Sequence, residues 1–299
     1  MKFSLWPHAG RAVDQILGAA RLADTDGWYG VWLADHYMPN TADGRVADGP
    51  MQECWTLLPA IATVTERVRI GPLVSPTSVH HPALLANRAA SLDQLCGGRL
   101  VLGLGAGWQV NEHAAYGIEL EAPGARVSRF EEAVQIIRSL LTEDRTSYAG
   151  SVYRITDAPC DPKPVQARLP LLAGTAGPRM LRITARHLDE WNTWGDLATA
   201  LTKRGRLLEA CERVGRDPGT MRRSVNAFLD LDGTSPGGPG RTLSGSAERL
   251  IDELGRFAEA GFEEFVVPDW LLAADPAQRH DQLRRLKADV LDRVGADQG

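Results

Sequence analysis

What this 299-residue sequence lacks narrows the field first. Cysteine is scarce: Cys54, Cys96, Cys160 and Cys211 are widely scattered and form no C-x-x-C pair. That spacing argues against a disulfide framework or a zinc cluster and fits thiols in a reducing cytoplasm. No apolar run approaches the ~20 residues of a membrane-spanning helix; 57–62 is among the longest. Positive charge is not in excess, since 33 Lys and Arg face 38 Asp and Glu for a formal net charge of −5. Neither a nucleic acid nor an anionic membrane surface is therefore an expected partner. The chain opens on the strand-like Lys2–Trp6 without a charged segment followed by an apolar one, so a secretory leader is not expected and a cytoplasmic protein is. No G-x-S-x-G elbow occurs, which removes the common serine-hydrolase reading.

What is present is an alternation. Short β-rich apolar runs at 2–6, 29–34, 68–75, 99–104, 169–173, 190–193, 222–229 and 263–267 alternate with longer amphipathic segments. These lie near 11–26, 51–66, 82–96, 127–142, 178–187, 196–215, 246–260 and 276–293. Phe130, Val134, Ile137 and Leu141 recur at spacings of three and four, a buried helical stripe. Ser246 as N-cap, Glu248 in the first turn and Gly261 as a stop frame the helix after 246. Eight strand–helix units predict an α/β fold of the (β/α)8 TIM-barrel type; a doubly wound sheet fits the alternation as a second arrangement. No Pro/Gly linker splits the chain, so 1–299 is expected to be one domain. Residues 143–168 form a long connection before the fifth strand, an insertion with a small hairpin (146–148 and 152–155) and a stiff end at Pro159, Pro162 and Pro164. A second departure, 233–245, is rich in Gly, Pro and Ser and is expected to be a mobile loop at the mouth of the barrel.

In such a barrel the C-terminal strand ends carry the chemistry. The second strand runs out into Asp35-His36, an acid and an imidazole suited to proton transfer. The other histidines fit less well. His8 ends the first strand without the second histidine of a His-x-His pair, His80-His81 begins a helix with Pro82, and His187 and His280 fall on helices, where surface or satisfied roles are expected. A metal-dependent hydrolase is a poor fit, and no metal is expected. After the fourth strand, Gly103-Leu104-Gly105-Ala106-Gly107-Trp108 looks like a dinucleotide fingerprint, but the third glycine of G-x-G-x-x-G would fall on Trp108. These glycines read instead as close backbone approach to a flat ligand, as positive φ, or as a glycine-rich strand end with no ligand. After the fifth strand, Ala173-Gly174-Thr175-Ala176-Gly177-Pro178 leads into a helix with Pro178 in its first turn. Free N–H groups there make an anion site, with a merely tight turn as the plainer reading. Trp6, Trp32, Trp108, Trp191 and Trp194 lie near strand ends, where they either pack the core or line a pocket for a ring.

Taken in order, these segments resemble a known family. They are 32–39, Arg69-Ile70-Gly71 through His81-Pro82, Gly97-Gly98-Arg99 through Gly107-Trp108, Arg129-Phe130-Glu131-Glu132, Pro162-Lys163-Pro164, and 173–178 with Asp189-Glu190-Trp191-Asn192. The set, spread over about residues 1–270, is similar to the bacterial luciferase-like superfamily and within it to oxidoreductases that use the deazaflavin coenzyme F420. The resemblance implies a flavin or deazaflavin across the C-terminal strand ends, with His36 as proton donor or acceptor and Asp35 helping to hold the cofactor. It implies that the bulged third strand, through Leu73, Ser75 and Thr77, supports the ring from one face. In the family such strands often carry a non-prolyl cis peptide, and the matching bond in this sequence is near Pro72-Leu73 or Leu73-Val74. It further implies that Gly105, Ala106, Gly107 and Asn111 contact the ring side or tail, and that Gly174, Thr175, Ala176, Gly177 and Pro178 hold the phosphate.

One departure qualifies the match. Several sugar-phosphate-oxidising relatives have an acid where this chain has Trp108, so His36 is expected to lack a carboxylate partner from the fourth strand. No clear cluster of Lys and Arg for a substrate phosphate is visible, and a more apolar substrate is expected, with Trp6, Trp108 and Trp194 lining its pocket. The reaction expected is hydride transfer between the deazaflavin and a small organic substrate. The alternative within the fold is an FMN-dependent two-component monooxygenase with a separate cofactor reductase. The alternative of another class is a non-redox barrel binding a phosphorylated ligand. A homodimer is implied by the resemblance alone.

Overall fold

A computed structural model describes residues 1–233 and 240–295 of the chain. Eight parallel staves form the expected barrel. In chain order the strands are β1 (Lys2–Trp6), β2 (Gly30–Leu33), β3 (Arg69–Pro72), β4 (Ser75–Pro76), β5 (Leu102–Gly105), β6 (Thr146–Ala149), β7 (Arg154–Ala158), β8 (Leu171–Gly174), β9 (Glu190–Trp194), β10 (Arg222–Asn226), β11 (Phe228–Leu231), β12 (Thr242–Gly245) and β13 (Glu264–Pro268). The main sheet runs β3-β2-β1-β13-β10-β9-β8-β5-β4. β3 and β4 are two halves of one stave, broken at Leu73 and Val74, so this order closes on itself. The Val101 N–H donates to the Ile70 carbonyl at 2.9 Å, and Ser75 and Pro76 pair with Leu104 and Gly105 across the same seam. The peptide bond between Leu73 and Val74 is cis.

The helices are α1 (Val13–Thr25), α2 (Cys54–Val64), α3 (Pro82–Leu95), α4 (Val110–Tyr116), α5 (Pro123–Thr142), α6 (Pro178–His187), α7 (Leu197–Arg213), α8 (Ala247–Glu259) and α9 (Pro276–Asp289). Each stave is covered because its helix carries one apolar face. The stripe Phe130, Val134, Ile137 and Leu141 on α5 is buried, and Ser246 caps α8 by accepting from the Arg249 N–H. The four thiols are buried and free. No described helix is long and apolar enough to cross a membrane.

Three expectations need correction. α4, between the fourth stave and α5, is a helix that periodicity did not reveal. The seventh strand, expected over 222–229, ends at Asn226; Phe228–Leu231 leaves the barrel and pairs in parallel with Thr242–Gly245. The glycine-rich stretch 233–245 therefore ends in a strand, and its residues 234–239 lie outside the described residues. The inserted hairpin is present but longer, with β6 antiparallel to β7. The Glu132 carboxylate on α5 secures it by accepting the N–H groups of Ser151, Val152 and Tyr153 at its turn.

The N-terminal end of the barrel is closed by charge. The Glu264 carboxylate accepts from Ser4 Oγ at 2.6 Å and Trp32 Nε1 at 2.8 Å. Arg69 pairs with Glu190 and stands 3.5 Å from Glu264, while Arg69 and Arg222 both stack over Tyr29. Above this floor Trp32, Leu73, Val101, Leu172 and Val266 fill the interior. The barrel is a packed core with only its C-terminal mouth free for chemistry.

Candidate active site

The mouth has two halves. Staves two, four and five end in His36, Gly105–Gly107 and the turn 174–178, and Val74 stands at the break in the third stave. Staves six to eight and the first end in Trp194, Phe228, Trp270 and Trp6.

In the first half Trp108 leaves the fourth-strand position without an acid, as expected, but a carboxylate reaches His36 from the helix that follows. Glu112, on α4, places Oε1 2.9 Å from His36 Nδ1 and accepts the Tyr37 N–H through Oε2 at 2.9 Å. Its side chain is 3% exposed and that of His36 22%. The pair meets because α4 is stitched to the segment leaving β2. Gln109 Nε2 donates to the Met38 carbonyl, and Asn111 Nδ2 donates to the carbonyls of Pro39 and Arg45, each at 2.9 to 3.1 Å. Asn111 is thus buried and spends its amide on this loop. A carboxylate can only accept, so the hydrogen between the pair sits on Nδ1, and Nε2 is the ring nitrogen that Glu112 leaves free. Trp108 is 56% exposed, and its ring meets His36 edge to face at 5.5 Å.

Asp35 turns away from His36. Its Oδ2 accepts from Ser75 Oγ at 2.5 Å, His80 Nε2 at 2.9 Å and Trp55 Nε1 at 3.2 Å. This buried knot ties the segment after β2 to β4, α2 and the turn before α3. His80 is satisfied within it, and His81 caps α3. A cavity of about 770 Å³ opens behind the knot on the outer flank, between α2 and α3, lined by Tyr37, Trp55, His80 and Arg88 among others. It lies outside the barrel mouth.

The three third-stave residues expected to face a ring are all buried. Leu73 packs in the barrel interior, Ser75 bonds Asp35, and Thr77 Oγ1 donates to the Gly105 carbonyl at 3.2 Å. Val74, which sequence reasoning passed over, is the partly exposed one. A Cβ on Gly105 would stand 2.8 Å from Val74 Cγ2, and one on Gly174 3.1 Å from Val74 Cγ1. The absent side chains of staves four and five therefore make room for Val74. Gly107 has φ +89°, and a Cβ there would collide with Ser78 Oγ, so its conformation does require glycine. Ala106 and Gly107 are partly exposed at the mouth, and Gly105 is buried.

The turn 174–178 opens outward, with Gly177 and Pro178 exposed. Gly177 is the N-cap of α6 and Pro178 its first residue, with no side chain capping the free N–H groups. Trp191 Nε1 donates to the Thr175 carbonyl at 2.7 Å and holds the turn in place. The uncapped N–H groups and the helix dipole make this end of α6 receptive to an anion.

The second half is aromatic. Trp6 lies 5.5 Å from Trp194 and 5.1 Å from Trp270 between ring centroids, and Phe228 packs against both Trp194 and Trp270 at 5.6 and 5.5 Å. Trp270 and Phe228 were not anticipated; Trp108 stands apart from this cluster, against His36. Beside the wall, Asp269 accepts the His8 N–H at 2.9 Å and pairs with Arg11. Burial and the Arg11 charge lower the His8 imidazole below its ordinary value. Positive charge is less scarce here than the sequence indicated. Lys203 Nζ donates to the Trp194 carbonyl at 2.6 Å, and the Arg241 guanidinium lies 5.7 Å over the Trp194 ring.

Residues 1–235 match the family of luciferase-like monooxygenases. The F420-dependent glucose-6-phosphate dehydrogenase of Kineococcus radiotolerans is 30% identical over 270 residues, which cover 86% of this chain and 78% of that protein. The enzyme of the same name from Amycolatopsis mediterranei is 29% identical over 281 residues, covering 88% and 81%. Among solved structures, an F420-dependent secondary alcohol dehydrogenase in complex with an F420-acetone adduct superposes with a TM-score of 0.81 at 20% identity, over 97% of this chain and 99% of the other. A long-chain alkane monooxygenase superposes with a TM-score of 0.81 at 13% identity, over 98% and 91%. At such identities the two structures speak for the fold.

Proposed function

Since this chain belongs to the luciferase-like monooxygenase family, we propose that it is an oxidoreductase that uses coenzyme F420 on a small organic substrate, with His36 as its proton donor and acceptor. The observation that carries this reading is the His36–Glu112 pair at the rim of a glycine-lined half-mouth. The residues present suit the cofactor. Val74 and the backbone of Gly105, Ala106 and Gly107 offer a low surface for a flat ring, and the uncapped start of α6, from Gly174 to Pro178, suits a phosphate. When bound, F420 supplies a two-electron hydride couple.

The protein's part is orientation and proton handling. Glu112 holds the His36 ring through Nδ1, so Nε2 is the nitrogen that exchanges a proton with the substrate. The same carboxylate stabilises the imidazolium when His36 is charged. Asp35 acts at a distance, by holding the second half of the third stave through Ser75. The two relatives named above carry glucose-6-phosphate dehydrogenase names, whereas Trp108 and the aromatic half favour a more apolar substrate for this chain.

The test is a binding titration with F420 and with FMN, followed by turnover of His36→Asn. F420 is expected to bind, and the variant to lose about 10²–10⁴-fold in kcat at little cost in cofactor affinity. Tight FMN binding without F420 binding would instead support a flavin-dependent monooxygenase of the same fold, the reading that the alkane monooxygenase neighbour favours.

A further inference from the structure

We propose that the substrate is an apolar ring or chain bearing one carboxylate, its body against Trp6, Trp194, Trp270 and Phe228 and its anion at Arg241 and Lys203. The inference rests on the oxidoreductase reading for its use of the word substrate, but its evidence lies in the other half of the mouth.

The body is read from the aromatic wall. Four large rings from four different stave ends meet at 5.1 to 5.9 Å and form a continuous surface with the barrel interior. Such a surface favours a flat or apolar group and offers little to the many hydroxyls of a sugar. Trp6 and Trp270 each bury an indole N–H that has no partner among the described residues. Two donors within the wall are therefore left unpaired by the described residues.

The anion is read from charge. Lys203, in the second turn of α7, donates to the Trp194 carbonyl, and Arg241, where β12 begins, lies over the ring of the same tryptophan. Neither makes an ion pair among the described residues, whereas Arg11, farther along the rim, is neutralised by Asp269. Burial and then the charges of Arg241 and Arg206 lower the Lys203 ammonium, with only Asp196 acting the other way. Asp196 is the one acid acting on Lys203, and it spends its carboxylate capping α7 at the Thr199 N–H. Two cations without an ion pair among the described residues, bordering an apolar wall, are completed by a ligand that joins an apolar body to a negative end.

Calorimetric titration tests this on the protein alone and on the protein saturated with F420. The probes are 4-phenylbutanoate, which has both features, 4-phenylbutan-1-ol, which lacks the charge, and glucose 6-phosphate, which lacks the apolar body. 4-Phenylbutanoate is expected to bind at least tenfold more tightly than either of the others. Arg241→Gln, a change at an exposed side chain, should remove most of that advantage and leave the alcohol unaffected. Trp270→Leu should weaken acid and alcohol alike. Equal binding of acid and alcohol, tighter binding of glucose 6-phosphate, or no binding of the acid overturns the proposal. So does a loss of F420 affinity in Arg241→Gln, which would assign the cation to the cofactor's own anionic groups. Failure of F420 itself to bind would remove the cofactor reading and leave the acid-binding result to stand or fall alone.

Discussion

His36 Nδ1 and Glu112 Oε1 lie 2.9 Å apart although 76 positions separate them in the chain. The contact joins the end of the second stave to a seven-residue helix after the fourth. It turns a partly exposed imidazole into one with a set tautomer and orientation. Glu112→Gln is expected to lower kcat by about 10–100-fold while cofactor affinity stays within about threefold. Because the carboxylate acts through the ring, His36→Ala combined with Glu112→Gln should be no slower than His36→Ala alone. Additive losses would show that Glu112 works independently of His36.

Asp35 is predicted to matter for stability ahead of cofactor contact. Removing its carboxylate takes the buried acceptor from Ser75 Oγ and His80 Nε2, while Trp55 Nε1 keeps only its 2.9 Å bond to Ser75 Oγ. Asp35→Ala should therefore cost about 2–4 kcal/mol of unfolding free energy in cofactor-free protein. A variant as stable as the parent in urea, but unable to bind cofactor, would put Asp35 in direct contact with the ring after all.

Burial pushes the Asp24 carboxyl up, but the N–H groups of Val68, Arg67 and Glu66 outweigh this and hold it below its ordinary value of 3.8. A carboxylate lowered in the folded state stabilises fully above the unfolded value and loses that stabilisation as pH falls through the folded one. Asp24→Asn should therefore be less stable than the parent by about 1–3 kcal/mol near neutrality, with the gap narrowing below about pH 4. Denaturant curves at several pH values measure it; a gap that does not change with pH counts against this account.

Val74 and Gly105 offer a paired test of the broken stave. Gly105→Ala would press a Cβ to 2.8 Å from Val74 Cγ2 and should reduce both stability and F420 affinity. Adding Val74→Ala relieves the crowding, so the double variant should recover part of the loss, a coupling of about 0.5–3 kcal/mol. Simple additivity would mean that the glycine serves something other than Val74.

Much of the barrel could be read from the chain because buried parallel strands are short apolar runs and their helices carry one apolar face. The eight staves and the helix stripe at Phe130 to Leu141 are of this kind. The site was less legible. α4 has only seven residues, with Val110 and Tyr116 exposed, so no periodic stripe marks it; Gly117, in the left-handed region, was its one available stop signal. Missing that helix meant missing Glu112. Asp35 and His36 looked like one unit because they are adjacent, but they part company: one bonds towards the second and third helices and the other towards α4. Trp270 lies beyond the last strand, where no motif singled it out, and Val74 is an ordinary apolar residue whose role appears only when its glycine neighbours are seen around it.

The charged floor built on Glu264, with Ser4, Trp32 and Arg69 gathered about it, has a kinetic consequence. A barrel sealed below has a single doorway, and on the reading proposed above cofactor and substrate enter and leave by it. Their two halves of the mouth differ, so neither need block the other, and product inhibition patterns report whether one must precede the other.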